Sequence, residues 1–386
     1  MIKTSLVADS IKLSLVRSLF NEAKNYDDVI DFTLGDPDVS THPAIKQAAC
    51  DAIIQGKTRY SQNAGLLELR KTICSYCLRK EGLDYDPEKE IIATVGAMEG
   101  LFLALMSILD PGDEVIIPAP YYVNYGQMVS MLHAVPVFID NPDQADFTMH
   151  VSDIESAVTE RTKAIIINTP SNPTGQMIPR DVLEGIADIS KRYNLTVLSD
   201  EVYKCLIYDK APFTSIVSFK DMRERTILIN SLSKEFCMTG YRIGYVLAPE
   251  EVVASMTKLQ ENVAACAPLP SQYAAIKALD GKEDYSSEMV RIFTERRDVL
   301  YDGLTMVDKL IPLKPEATFY MLVDVSQTGM GSIDFCYALL RKAHVAVVPG
   351  ITYGKCCDRY VRIAFTRDVD YIREGIDRIN SFINSL

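Results

Sequence analysis

Four short polar segments each stand at the end of an apolar run, and together they concentrate groups able to bind charge or carry protons. Asn168-Thr169-Pro170-Ser171-Asn172-Pro173-Thr174-Gly175 closes AIIIN, and Asp200-Glu201-Val202-Tyr203 closes LTVLSD. Ser231-Leu232-Ser233-Lys234 follows TILIN, with Gly240-Tyr241-Arg242-Ile243-Gly244 soon after. The set holds an amine, a carboxylate, a phenol and a guanidinium. In an open parallel sheet ligands bind at the carboxyl ends of the strands, so the four segments are expected to converge on one crevice. Read singly, each has a plainer use. Asp200 suits a helix N-cap, Asn172 a turn before Pro173, the serines turn chemistry, and Lys234 a solvated surface.

Such segments need a sheet behind them, and the chain supplies one. IIATV (91–95), DEVIIP (113–118), VPVFID (135–140), AIIIN (164–168), LTVLSD (195–200), TILIN (226–230) and RIGYVLA (242–248) read as strands alternating with helical stretches. That alternation is the mark of a mainly parallel sheet covered by helices. Several runs are apolar on consecutive residues, as strands buried on both faces are. After about residue 280 the pattern changes to a long charged helix, EMVRIFTERRDVLYDGL, then FYMLVDV, a helix from Ile333, AVVPG and YVRIAF. The expected organisation is α/β throughout: a large domain over 45–280, a smaller α/β domain over 281–386, and an N-terminal segment, 1–44, packing with the smaller one. Pro43 is placed to start a helix.

In YVRIAF, period-two alternation puts Val361, Ile363 and Phe365 on one face and Arg362 on the other. A planar guanidinium grips a carboxylate by two parallel hydrogen bonds, so Arg362 is the candidate for a substrate carboxylate. Arg359 shares the apolar face and ranks below it.

Composition narrows the function. Among 386 residues, 40 Lys+Arg against 52 Asp+Glu leave 40 − 52 = −12 charges, and 48% of the chain is hydrophobic. A chain this apolar folds and buries a large core, unlike a disordered one. Its acidity disfavours nucleic acid, which attracts proteins through Lys and Arg. Nine scattered cysteines do not form a dense disulfide framework, which fits a reducing cytoplasm. Asp9, Lys12 and Arg17 interrupt the N-terminus where a secretory signal is apolar, and no run of about 18 apolar residues suggests a membrane span. Cys74 and Cys77 form a lone C-x-x-C, Cys356 and Cys357 lack a partner motif, and the four histidines have no zinc spacing. No metal is expected.

In order, N-P-T-G (172–175), S-D-E-x-Y (199–203), S-x-S-K (231–234), G-x-R-x-G (240–244) and V-R-I-A-F (361–365) resemble the class I and II aminotransferases of the pyridoxal-phosphate fold-type I superfamily. The resemblance covers essentially the whole chain. It implies that Lys234 forms a Schiff base with pyridoxal 5'-phosphate and then shuttles a proton at the substrate's Cα. Asp200 would hold the pyridine nitrogen protonated; a charge pair at about 4 Å in a dielectric near 20 is worth roughly 4 kcal/mol. Tyr203 and Asn172 would bond the ring's O3′ oxygen. The backbones of Ala97 and Met98, at a strand-to-helix junction, would bind the phosphate with Ser231, Ser233 and Arg242. Tyr122 would stack on the ring, although Tyr121, Tyr122 and Tyr125 all also suit the core. Gly35, with Asn172, would approach the substrate carboxylate that Arg362 binds. Tyr60 matches a tyrosine that reaches the neighbouring subunit's phosphate, which implies a homodimer with shared sites.

The resemblance has one departure. In aspartate-specific members a lysine follows the position matching Ala97 and reads the second carboxylate, whereas Met98 stands here. A thioether offers no such charge, so a neutral side chain suits the site better. The expected activity is transfer of an amino group between an L-amino acid and a 2-oxo acid. The alternative is a β-eliminating C–S lyase, which would use the same residues. A non-catalytic binding protein is disfavoured because both Lys234 and Asp200 are present.

Overall fold

A computed structural model of the chain describes residues 2–11, 15–140, 147 and 149–386; Lys12 lies outside them. In chain order the strands are β1 (Ile30–Asp31), β2 (Ile91–Thr94), β3 (Glu114–Pro118), β4 (Val135–Ile139), β5 (Thr162–Asn168), β6 (Thr196–Asp200) and β7 (Thr226–Ser231). They continue with β8 (Gly244–Leu247), β9 (Ile311–Pro312), β10 (Tyr320–Asp324), β11 (Val345–Ala346), β12 (Val348–Pro349) and β13 (Tyr360–Ala364). Among the described residues these form a seven-stranded, a four-stranded and a two-stranded sheet.

The seven-stranded sheet has the order β2-β8-β7-β6-β5-β3-β4. Its strands are parallel except β8, which runs antiparallel to both neighbours. The α/β class expected from the alternation of apolar runs and helices is therefore the one observed. The reason is clearest in β5. Ile165 and Ile167 pack into one apolar cluster with Leu183 and Ile186 of the helix Arg180–Arg192. Ala164 and Ile166 pack into another with Leu101 and Ala104 of the helix Gly96–Ile108. A consecutive apolar run is thus a strand with a helix on each face, and each fully buried Ile contributes about 2 kcal/mol.

After β2 the chain crosses from one edge of this sheet to β3 near the other, leaving β8, β7, β6 and β5 between them. The carboxyl ends of β2, β5, β6 and β7 therefore flank a point where the strand order switches, which is where open α/β sheets bind ligands. The antiparallel β8 begins at Gly244, paired with Ser231 and Thr94, so Arg242 enters at the same end. Arg242 itself precedes the strand and adopts a left-handed backbone, φ +50°.

The four-stranded sheet is antiparallel in the order β12-β13-β10-β9. The AVVPG run divides between two sheets: Val345–Ala346 pairs in parallel with β1, and Val348–Pro349 pairs with β13. Leu19, Ile30 and Phe32 share an apolar cluster with Phe293, Leu339, Val361, Ile363 and Ile379. Among the described residues, no helix is long and apolar enough to cross a membrane.

Candidate active site

One cavity of about 640 Å³ opens at the switch point. It is lined by Gly35, Ala97, Met98, Tyr122, Asn172, Asp200, Tyr203, Ser231, Ser233, Lys234, Arg242 and Arg362, twelve of the thirteen residues singled out from the sequence. The thirteenth, Tyr60, lies outside it and is 86% exposed.

Lys234 stands on the one-turn helix Leu232–Glu235 directly after β7. Its Nζ donates to the carbonyl oxygen of Gly35 at 2.7 Å and lies 5.3 Å from the centre of the Phe319 ring. A Cβ at Gly35 would fall 1.7 Å from the Tyr320 hydroxyl, so a larger residue there would have to displace that ring. Asp200 is the last residue of β6 and is buried. Burial pushes its carboxyl pKa up to about 6, against the opposing pull of hydrogen bonds from the Tyr125 hydroxyl (2.6 Å) and the Val202 N–H (3.4 Å). Its carbonyl oxygen accepts from Asn168 Nδ2 at 3.0 Å, while Asn168 Oδ1 accepts the Asn172 N–H at 2.8 Å. Asn168 therefore braces two strand ends against each other. Tyr203 donates to the Tyr320 hydroxyl at 3.1 Å, and burial raises its pKa well above that of a free phenol.

Ala97, Met98, Ser231, Ser233 and Arg242 line the same cavity. The helix Gly96–Ile108 begins there, and the N–H groups of its first turn, those of Ala97 and Met98 included, have no intrahelical partner. The Ser231 hydroxyl accepts the Ser233 N–H at 3.1 Å, capping the next turn. Arg242 Nη1 donates to the Thr239 carbonyl at 3.0 Å. Gly96 has φ +73°, and a Cβ there would meet the Arg242 guanidinium at 2.5 Å, so the backbone's close approach to this arginine requires glycine.

Arg362 faces this group from β13. Its neighbours Val361 and Ile363 point into the apolar cluster, and the guanidinium points into the cavity, as alternation predicts. Nη1 donates to Asn172 Oδ1 at 3.1 Å and Nη2 to the Thr33 carbonyl at 2.6 Å. The guanidinium lies 4.3 Å from the Tyr320 ring centre and 5.3 Å from that of Tyr353. Among the described residues, Arg362 Nε and the Tyr353 hydroxyl are two of seven buried side-chain polar atoms without a hydrogen-bond partner. Beside them the wall is neutral: Tyr122 Oη and Asn124 Nδ2 each lie 3.6 Å from Met98 Sδ, and Asn124 donates to Tyr122 at 2.9 Å.

Tyr125, Tyr320, Tyr353 and Asn124 belong to this assembly and were not assigned from the sequence. A signal existed for Tyr125, since a buried tyrosine hydroxyl seeks a partner. None existed for Tyr353, which enters on the short turn Gly350–Tyr353.

An α/β protein that gathers an amine, a buried carboxyl and two guanidinium groups around one cavity is built to do chemistry on anionic molecules. The family model for aminotransferase class I and II matches residues 27–379. The chain is 38% identical over 377 residues to an aspartate aminotransferase of Pyrococcus abyssi, covering 97% of each. It is 36% identical over 377 residues to aromatic-amino-acid aminotransferase 2 of Thermococcus litoralis, again covering 97% of each. The crystal structure of the aspartate aminotransferase from Rhizobium meliloti superposes with a TM-score of 0.95 at 32% identity, covering 100% of this chain and 99% of that one. The chain belongs to the class I and II aminotransferases, of fold type I. It is a transferase that moves an amino group between an amino acid and a 2-oxo acid, and these relatives give the C–S lyase alternative no support.

Proposed function

We propose that the cavity binds pyridoxal 5'-phosphate through Lys234 and accepts L-amino acids with uncharged side chains. The observation that carries this reading is the meeting of Lys234, buried Asp200 and Arg362 in one cavity. The donor set fits the cofactor group by group. Lys234 offers an amine to its aldehyde, and Asp200, held by Tyr125, offers a carboxylate to its ring nitrogen. Asn172 and Tyr203 suit the ring oxygen; the first turn of Gly96–Ile108, the two serines and Arg242 suit the phosphate. When bound, the cofactor supplies an electron-withdrawing ring that stabilises negative charge at the substrate's Cα.

The chain's own residues do the rest. Arg362, which lines the cavity, binds and orients the α-carboxylate. Lys234 moves the proton at Cα. Gly35, whose carbonyl accepts from Lys234, keeps that amine turned into the cavity. Exposed Tyr60 is offered to a second copy of the chain in a cytoplasmic homodimer, where it would reach the partner's phosphate.

The neutral wall at Met98, Tyr122 and Asn124 supports the substrate preference. Among the described residues lining the cavity the cations are Lys234, Arg242 and Arg362, and each has another task in this reading. Steady-state rates should favour neutral or aromatic amino acids over aspartate; a kcat/KM highest for aspartate contradicts the preference. The cofactor reading is tested by adding pyridoxal phosphate. The wild-type protein should gain visible absorbance and Lys234→Ala should not.

A further inference from the structure

The segments that carry Asp200 and Lys234 have a second side. Tyr203, Ser233 and Lys234 line the active-site cavity, whereas Lys204, Cys205 and Glu235 line a separate cavity of about 550 Å³. The one-turn helix Leu232–Glu235 is therefore a partition with open space on two sides. Leu232, Ser233 and Glu235 are buried, yet Ser233 and Lys234 border one cavity and Glu235 the other. Four residues also form too few backbone hydrogen bonds to hold a helix by themselves. Something else must hold the turn that presents the amine.

Leu232 anchors one end in an apolar cluster, and the Ser231 hydroxyl caps the turn. At the other end Glu235, 8% exposed, accepts a hydrogen bond from the Tyr76 hydroxyl. Tyr76 is itself buried, on the fifteen-residue helix Leu67–Glu81, so this bond ties the weakest helix of the site to a long one. A buried carboxyl group is an expensive way to fill space. Burial raises the Glu235 pKa, opposed by the Tyr76 hydrogen bond and by Lys204 and Lys80, and reinforced by Glu81. Lys204 in turn pairs with Glu81 at 2.7 Å and Glu201 at 3.3 Å, and Glu201 accepts from Ser199 (3.0 Å) and Ser215 (2.5 Å). The residue after Asp200 and the residue after Lys234 are thus both set in polar groups behind the site.

We propose that Glu235, through its hydrogen bond with Tyr76, is a positioning residue for Lys234: it fixes the turn so that the amine keeps its direction into the active-site cavity. This rests on the reading of Lys234 as the cofactor's attachment point. Because the hydrogen bond and not the charge does the positioning, glutamine, whose amide oxygen still accepts from Tyr76, should serve in place of glutamate.

The test mixes pyridoxal phosphate with wild-type, Glu235→Ala, Glu235→Gln and Tyr76→Phe proteins and follows the visible absorbance of the bound cofactor. In Glu235→Ala and Tyr76→Phe the absorbance should appear roughly tenfold more slowly. Its pH midpoint should move by about 0.5 unit or more, while Glu235→Gln stays close to wild type in both. Wild-type behaviour in Glu235→Ala and Tyr76→Phe overturns the proposal, as does a Glu235→Gln variant as impaired as Glu235→Ala. Should Glu235→Ala fail to fold, Tyr76→Phe, which removes one hydroxyl, decides the matter with Glu235→Gln. A wild-type protein that gains no absorbance refutes the Lys234 reading itself, a result distinct from failure of the positioning role alone.

Discussion

The two larger sheets supply the cavity in different ways. The seven-stranded sheet offers residues at or beyond its strand ends: Asp200 closes β6, Asn172 follows β5 and Lys234 follows β7. The four-stranded sheet offers residues from within strands, Arg362 in β13 and Tyr320 in β10. The bonding differs accordingly. Among the described residues, Lys234 Nζ makes one hydrogen bond, to Gly35, and stands near one aromatic ring. Arg362 is held by Asn172 and Thr33 and flanked by two tyrosine rings. Both groups must be held in productive geometry, but the amine's own nitrogen has to stay available for reaction while the guanidinium can be held on several sides. Reaction should therefore depend on the first set and substrate affinity on the second.

The largest expected effect is that of Lys234→Ala, which should lower kcat roughly 10⁴-fold or more. Amino-acid affinity, read by calorimetry, should change far less; a parallel loss of affinity would erase the contrast between the sheets. Asp200→Asn should reduce kcat by about 10³-fold, since a lost charge pair of about 4 kcal/mol has that effect. Arg362→Lys should act mainly on KM, raising it by roughly tenfold, because an ammonium cannot make the paired bonds of a guanidinium. An Arg362→Lys variant with normal KM and depressed kcat would reverse the assignment.

A smaller effect concerns stability without the cofactor. The Asp200 carboxyl is raised from 3.8 to about 6 in the folded protein. A raised carboxyl favours the fold while protonated, so this contribution is complete below about pH 4, falls as pH rises toward 6, and is absent above. Asp200→Asn removes the titration. Relative to wild type it should gain nothing in Tm at pH 4 and roughly 4 °C at pH 7 in cofactor-free protein. Equal Tm differences at both pH values would contradict the raised carboxyl.

The same contrast explains what the sequence made legible. Residues at strand ends follow apolar runs, so Asn172, Asp200, Ser231 and Lys234 could be picked out from hydrophobic patterning and a polar residue in the right place. Arg362 was legible because alternation within one strand separates it from Val361 and Ile363. Tyr320 was not, because it shares the arginine's face only through the register that pairs Leu322 with Arg362 across β10 and β13. Register is a tertiary fact that one strand does not carry. The division of AVVPG between two sheets was hidden for the same reason: consecutive apolar residues do not say which strand each will pair with. Tyr76 and Glu235 are 159 positions apart and meet only when the fold brings two helices together.

The most direct test of the whole account is chemical trapping. The protein is incubated with pyridoxal phosphate, reduced with borohydride, digested and mapped by mass spectrometry. A single cofactor adduct on the peptide bearing Lys234, absent from Lys234→Ala, is the predicted result. An adduct distributed over other lysines, or none at all, would contradict it.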